Sequence, residues 1–278
     1  MLVNLNDVLI PARRGKYAVG LFNTVNLELA RGVMEAAGEL DSPVIIGTAE
    51  VLPYGPIEDL ANLLIPMAER ASVPVVVHLD HGLKEETCRQ ALDLGFSSIM
   101  YDCSTMEYEA NIEHVKRMAE TAHACGASIE AELGHVGDNG GEDPSLFYTD
   151  SAQARDFIER TGADALAIAV GTAHGAYKLP PKLDFNRIAE IAENIPTPLV
   201  LHGGSGLSDS DFRTAVERGI SKVNIFTDIN QAGARAAALG RREGMGLTDI
   251  ILPEIEAVKQ SVMEKMRLFG SVGRGSER

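Results

Sequence analysis

Three histidines follow strand-like apolar runs in this chain, and an aspartate immediately precedes one of them. The runs are PVVVHLDHG (74–82), ADALAIAVGTAHG (163–175) and TPLVLHGGSG (197–206), which put His81, His174 and His202 at strand ends. Three neutral imidazoles can hold a Zn²⁺ ion and leave its fourth position open to water or substrate. A carboxylate beside that position, here Asp80, is placed to move a proton. A single histidine after a strand is more often a hydrogen-bonded bystander than a ligand. The chemistry therefore depends on whether the fold brings all three to one rim.

The elements that must do so alternate along nearly the whole chain. Eight short apolar strands are expected: Tyr17–Phe22, Pro43–Ile46, Val75–Leu79, Ser97–Met100, Ser128–Ala131, Ala165–Ala169, Leu199–Leu201 and Lys222–Ile225. Between them, segments such as LELARGVMEAAGEL and IEDLANLLIPMAERA repeat apolar residues at helical spacing, and several end in glycine, the usual helix stop. Two further helical stretches, around 229–242 and 249–268, follow the last strand, and the tail from Gly270 is expected to fray. Eight β/α repeats without a composition break predict a single domain over 1–278, a closed (β/α)₈ TIM barrel with extra C-terminal helices. A doubly wound open sheet is the alternative, and the first strand lacks its glycine-rich phosphate turn.

Barrels of this kind place their active sites at the C-terminal ends of the strands. Those ends read Asn23, Thr48, Asp80 with His81, Asp102, Glu132, His174, His202 and Asn224. A strand-end Asp or Asn also turns loops and caps helices, so Asn23, Asp102 and Asn224 each have a purely structural alternative. After the seventh strand, His202 leads into Gly203, Gly204, Ser205 and Gly206. After the eighth comes Asn224–Ile225–Phe226–Thr227. Loops in these two positions commonly bind phosphate through backbone N–H groups.

Composition excludes other classes. The formal net charge is −15 over 278 residues, which argues against nucleic acid or an anionic membrane as partner. Cys88, Cys103 and Cys125 lack metal-ligand spacing and read as reduced thiols of a cytoplasmic protein. The segment MLVNLNDVLIPARRG has no long apolar stretch and does not read as a secretory signal, and no run approaches a membrane span.

The motifs VVVHLDHG, VGTAHGAYKLPPKLDF, LVLHGGSG and KVNIFTD, in this order and spacing, resemble the class II ketose-bisphosphate aldolases over essentially the whole chain. The GGSG form and the short length are similar to the tagatose-bisphosphate branch. The resemblance implies a catalytic Zn²⁺ on His81, His174 and His202, with Asp80 as the acid/base residue and Asp102 and Glu132 near an alternative metal position. It implies contacts to dihydroxyacetone phosphate from Gly175, Gly203, Gly204, Ser205, Asn224, Ile225, Phe226 and Thr227. A monovalent cation, Na⁺ or K⁺, is implied beside the phosphate loops. The implied reaction is reversible cleavage of a phosphorylated ketose to dihydroxyacetone phosphate and an aldehyde. A homodimer or homotetramer is the expected assembly.

Several residues remain outside that core. The segment GHVGDNGGEDPSLFYTD (134–150) is long for a compact barrel, and its GGED resembles a family flap motif that would give Glu142 a part in proton transfer. Asn23 and Thr48 are expected at the substrate. Glu50 is expected near its distal end, where a carboxylate would repel a second phosphate. Phe226 stands where relatives carry Asp or a small residue. Candidate distal cations are Lys178, Lys182, Arg267 and Arg274. By strand parity His78 should point inward with Asp80, and the strand must end or bulge for His81 to reach the same site. Lys222 is the best candidate for the alternative Schiff-base chemistry, which would leave the three histidines without a purpose. Two other readings are a zinc hydrolase on the same barrel, for which the first strand carries no ligand pair, and a catalytically silent sugar-phosphate sensor.

Overall fold

In the computed structural model, residues 1–52, 55–136, 148–173, 181–239 and 244–277 are described. Eight parallel strands close into one barrel in chain order: β1 (Val19–Asn23), β2 (Val44–Ala49), β3 (Val75–Gly82), β4 (Ser98–Tyr101), β5 (Ser128–Leu133), β6 (Ala165–Ile168), β7 (Leu199–Leu201) and β8 (Ile220–Ile225). The expected (β/α)₈ architecture is therefore the observed one, and each strand lies within a few residues of its expected place. The helices are α1 (Leu5–Gly15), α2 (Leu27–Glu39), α3 (Ile57–Arg70), α4 (Glu85–Asp93), α5 (Tyr108–Ala124), α6 (Ser151–Thr161), α7 (Phe185–Asn194), α8 (Asp209–Arg218), α9 (Thr227–Leu239) and α10 (Leu247–Phe269).

Strand alternation divides the core into two layers. Leu21, Ile45, Val76, Ala165, Ala167 and Val200 form one cluster inside the barrel, with Leu5, Val8, Leu9 and Ala12 of α1. The opposite parity, including Val44, Ile46, Val77 and Leu79, packs outward against the helices. Helix α1 was not anticipated. Asn4 starts it with a capping box, and its first backbone N–H, at Leu5, donates to Ser128 Oγ at the head of β5 (2.9 Å). Its apolar face thus closes the N-terminal end of the barrel, leaving the C-terminal rim for chemistry.

The tail does not fray as expected. Gly273 N–H donates to Leu40 O (2.9 Å) and Gly275 N–H to Asp41 O (2.8 Å), while Ser42 and Ser271 share a buried hydroxyl contact of 2.8 Å. Backbone hydrogen bonds to the loop after α2 hold it. At the other end of this contact, Ala18 N–H donates to Phe269 O (2.9 Å), so α10 ends at the N-terminal face of the barrel. Arg274, stacked 5.2 Å over Tyr17 and paired with Glu277, belongs to that face, as does Arg267 in the last turn of α10. Neither is near the rim where a substrate cation was expected. No helix among the described residues is long and apolar enough to cross a membrane.

Candidate metal centre and active site

At the C-terminal ends of the strands a cavity of about 430 Å³ opens, lined among others by Asn23, His81, Asp102, Gly204, Ser205, Asn224 and Phe226. Asp80 and His81 both reach this region because β3 is irregular there. The register against β4 shifts between Leu79 and Gly82, and His81 takes φ +45°. A non-glycine residue in the left-handed region costs on the order of 1–3 kcal/mol, which the surrounding contacts must offset. The expected bulge is present.

Among the described residues, His81 and His202 are each oriented by a carboxylate. His81 Nδ1 lies 2.8 Å from Asp102 Oδ2, and Asp102 is itself fixed by the backbone N–H (3.1 Å) and hydroxyl (2.7 Å) of Ser104. His202 Nε2 lies 2.8 Å from Glu130 Oε1, and its Nδ1 lies 3.3 Å from Glu132 Oε2. The two rings meet edge to face with centroids 4.6 Å apart. The Asp102 contact fixes His81 in the tautomer that leaves Nε2 for a metal, whereas His202 has a carboxylate at each nitrogen, so a metal there would take the place of the Nδ1 proton. Ligand atoms of Asp80, His81 and His202 lie within 4.8 Å of one another, as do those of His81, Asp102 and Glu132. The donor set of imidazole and carboxylate suits Zn²⁺.

His174, Gly175, Lys178 and Glu142 lie outside the described residues. Ala173 places the chain just before His174 against the His202 turn. A Cβ on Gly203, which has φ +63°, would stand 2.3 Å from Ala173 O, so only glycine allows this approach.

Asp80 is held from both sides. Asn23 Nδ2 donates to Oδ2 (2.7 Å), Asn224 Nδ2 donates to Oδ1 (2.9 Å), and His81 Nε2 stands 3.9 Å from Oδ1. Burial pushes this carboxyl up, but the charges of His81, His202, Lys222 and His78 outweigh it and hold the group well below the usual range. Burial likewise pushes His202 down, yet its contacts with Glu130 and Glu132 lift it to about 10. Without a metal, His202 is therefore an imidazolium between two carboxylates.

Beneath this layer lies a buried set that the sequence reading did not assemble. Glu130 is absent from the expected site, although SIEAEL places it on the same face as Glu132 two residues away, and that alternation was the available signal. Its carboxylate lies 2.8 Å from Lys222 Nζ. Burial raises the Glu130 carboxyl, and Lys222 and His202 bring it down to about 2. His78 points inward as expected. Its Nδ1 is 2.8 Å from Ser98 Oγ, and burial, then the Lys222 charge, lower it to about 3. Lys222 itself is fully buried and engaged, an arrangement unsuited to the amine nucleophile of a Schiff base.

The phosphate sector also assembles. Gly203, Gly204, Ser205, Ile225, Phe226 and Thr227 line the same cavity as His81. Ser205 Oγ accepts from the Phe226 (3.4 Å) and Asp228 (3.5 Å) backbone N–H groups at the start of α9. A helix N-terminus beside a glycine-rich turn is a ready anion site.

Two expected residues stand elsewhere. Thr48 has the parity of Val44 and Ile46, so it is buried on the helix side, and Ala49 lines the cavity instead. Glu50 turns away to the N-terminus of α4. It accepts from Leu83 N–H (2.7 Å), Lys84 N–H (3.2 Å) and Thr87 Oγ1 (3.1 Å), with Lys84 Nζ 3.4 Å away. Lys84 makes no side-chain cap bond to α4, and the Glu50 carboxylate sits at this N-terminus on the backbone N–H groups that lead into it. Glu50 is thus engaged with α4 and does not line the cavity, unlike its expected place at the distal end. The adjoining wall is apolar: Val51 and Leu83 are 69% and 49% exposed and line the cavity with Leu52 and Phe226.

A family model described as fructose-bisphosphate aldolase class-II matches residues 3–274. A Thermus caldophilus fructose-bisphosphate aldolase is 39% identical over 314 residues, covering 99% of this chain and 100% of that one. An Escherichia coli K12 protein described as uncharacterized protein YdjI is 40% identical over 263 residues, covering 93% and 94%. The crystal structure titled YdjI aldolase from that organism superposes with a TM-score of 0.91 at 37% identity, covering 99% of this chain and 100% of that one.

Proposed function

Because the chain belongs to the class-II fructose-bisphosphate aldolase family, we propose that it reversibly cleaves a phosphorylated ketose to dihydroxyacetone phosphate and an aldehyde. The carrying observation is Asp80, an ionised carboxylate locked by Asn23 and Asn224 beside His81 and His202. His81 and His202, joined by His174, would hold a Zn²⁺ ion. When bound, that ion would supply Lewis acidity at the ketone oxygen, where negative charge develops.

The chain's own groups perform the rest of the reaction. Asp80 takes the proton from the C4 hydroxyl as the C3–C4 bond breaks, and returns it in the condensation direction. Asn23 and Asn224 keep its two oxygens aimed during that transfer. Cleavage leaves the electron pair on C3, which must gain a proton to give dihydroxyacetone phosphate. Glu142 is our candidate for assisting that second transfer. The 1-phosphate sits on the Gly203–Gly204–Ser205 turn and the start of α9, where backbone N–H groups offset its charge. A monovalent cation beside this turn and a homodimer or homotetramer belong to the same reading.

For the aldehyde half, fructose 1,6-bisphosphate, tagatose 1,6-bisphosphate and related ketose 1-phosphates are the candidate substrates. The apolar wall of Val51, Leu52, Leu83 and Phe226 favours a distal end less anionic than phosphate. The test is dihydroxyacetone phosphate release, in the presence of Zn²⁺, from both bisphosphates and both 1-phosphates. Release from at least one supports the aldolase reading, and the ranking of kcat/KM decides the distal group.

A further inference from the structure

Lys222 stands at a fork that joins the two halves of the site. Its Nζ lies 2.8 Å from Glu130 Oε2 and donates to Asn224 Oδ1 at 2.7 Å. Along one branch, Glu130 Oε1 is 2.8 Å from His202 Nε2. Along the other, Asn224 Nδ2 donates to Asp80 Oδ1 at 2.9 Å. Lys222 and Glu130 are fully buried, and Asn224 and Asp80 nearly so.

Each branch has a chemical consequence. Lys222 keeps Glu130 an anion in the barrel interior, and an anionic Glu130 can only accept from His202 Nε2–H. With Nε2–H committed to Glu130, Nδ1, which faces Glu132 Oε2 at 3.3 Å, is the nitrogen left to ligate a metal. On the other branch, an asparagine amide could face Asp80 with either its oxygen or its nitrogen. The ammonium can only donate, so it claims Oδ1 and forces Nδ2 toward the carboxylate. One cation thereby selects the imidazole nitrogen presented to the metal and the amide face presented to the base.

We propose that Lys222 is a positioning residue that sets the His202 ligand atom and the Asp80 carboxylate together, coupling metal binding to proton transfer. The turnover limb rests on the aldolase reading, whereas the metal limb does not. The lysine thus acts through Glu130 and Asn224 rather than on substrate.

The test uses three full-length variants and two readouts: zinc affinity by competition with a chromophoric chelator, and kcat at saturating Zn²⁺. Glu130→Gln keeps shape and should weaken zinc binding by about 10–100-fold, the usual effect of losing a carboxylate behind a ligand histidine. Lys222→Met should weaken it similarly and also lower kcat at saturating Zn²⁺ by roughly 10-fold or more, because the amide facing Asp80 is no longer fixed. A purely structural lysine would lower the melting temperature without that kcat loss. If Lys222→Met fails to fold because Glu130 is left unpaired, Lys222→Met/Glu130→Gln carries no orphaned charge and should show the same kcat loss. Folded lysine variants with wild-type kcat, or Glu130→Gln with wild-type zinc affinity, overturn the proposal. Should the wild-type chain release no dihydroxyacetone phosphate from any ketose phosphate, the aldolase reading fails, and the Glu130→Gln affinity still decides the metal limb.

Discussion

Asp80 and His81 are adjacent in the chain, yet both serve the same rim of the barrel, because the backbone at His81 enters the left-handed region and the β3–β4 register shifts there. In a regular strand one of the two would face the helices. The irregularity lets one segment supply a candidate base and a candidate ligand 3.9 Å apart. The first prediction follows from that division of labour. Asp80→Ala should retain zinc by metal analysis while losing at least about 10²-fold in cleavage, the lower range for a positioned general base. Loss of zinc with unchanged turnover per bound metal would assign Asp80 to the ligand set instead.

Asp102 holds the Nδ1 side of His81, with its second oxygen occupied by Ser104. Its ligand atom also lies within 4.8 Å of those of His81 and Glu132, in keeping with the expected alternative metal position, while it orients the His81 ring. Asp102→Asn can present an amide N–H to the ring and so disfavour the tautomer that ligates through Nε2. We expect zinc affinity to fall by about 10-fold or more, read by chelator competition. An unchanged affinity would separate Asp102 from the metal.

Protonation of the metal-free chain should shape its stability. Glu130 is depressed to about 2, so its contribution is present above the ordinary carboxyl range near 4.5 and is lost as pH falls through about 2. His202 is raised to about 10, so its contribution is complete below about 6.5 and is lost as pH rises through about 10. The melting temperature of chelator-treated protein should therefore decline on both sides of a window near pH 4.5–6.5. Zinc must displace the His202 proton, so its binding at pH 8 should release protons to the buffer. Calorimetry in buffers of different ionisation enthalpy reads that release, and zinc uptake without it would contradict the imidazolium state.

Glu50 tests the corrected reading of the distal wall. Its carboxylate holds the backbone leading into α4 and the Thr87 hydroxyl, so Glu50→Ala should destabilise the fold by roughly 0.5–1.5 kcal/mol, the net worth of a hydrogen bond. The ratio of kcat/KM between a ketose 1,6-bisphosphate and its 1-phosphate should not move. A changed ratio at unchanged stability would put the side chain back at the substrate.

Most of the architecture was legible in the sequence because strand and helix periods differ and most strand ends carry a polar residue. His81, His202, Asp80 and the Gly203–Ser205 turn could be placed from that pattern alone. What escaped depends on partners distant in sequence. Glu130 looks like one charge in a short strand until Lys222, 92 positions away, is packed against it (222 − 130). Thr48 missed the cavity because β2 continues past Ile46 to Ala49 in regular alternation, which turns Thr48 to the helices and its neighbour Ala49 to the rim. Glu50 could not be assigned without knowing that α4 begins on a residue unable to cap it. The order of the tail from Gly270 has no local signal, because its backbone partners, Leu40 and Asp41, sit in a loop distant in sequence.

The Asp80–His81–His202 rim should cleave a phosphorylated ketose only with the help of a bound metal. The most direct measurement is coupled-enzyme detection of dihydroxyacetone phosphate from a ketose phosphate, before chelation, after it, and after Zn²⁺ is restored. Chelation should abolish release and stoichiometric zinc should recover it, with no lysine adduct trapped by borohydride. Full release from metal-free protein, or a substrate carbon trapped on a lysine, would contradict metal-dependent cleavage.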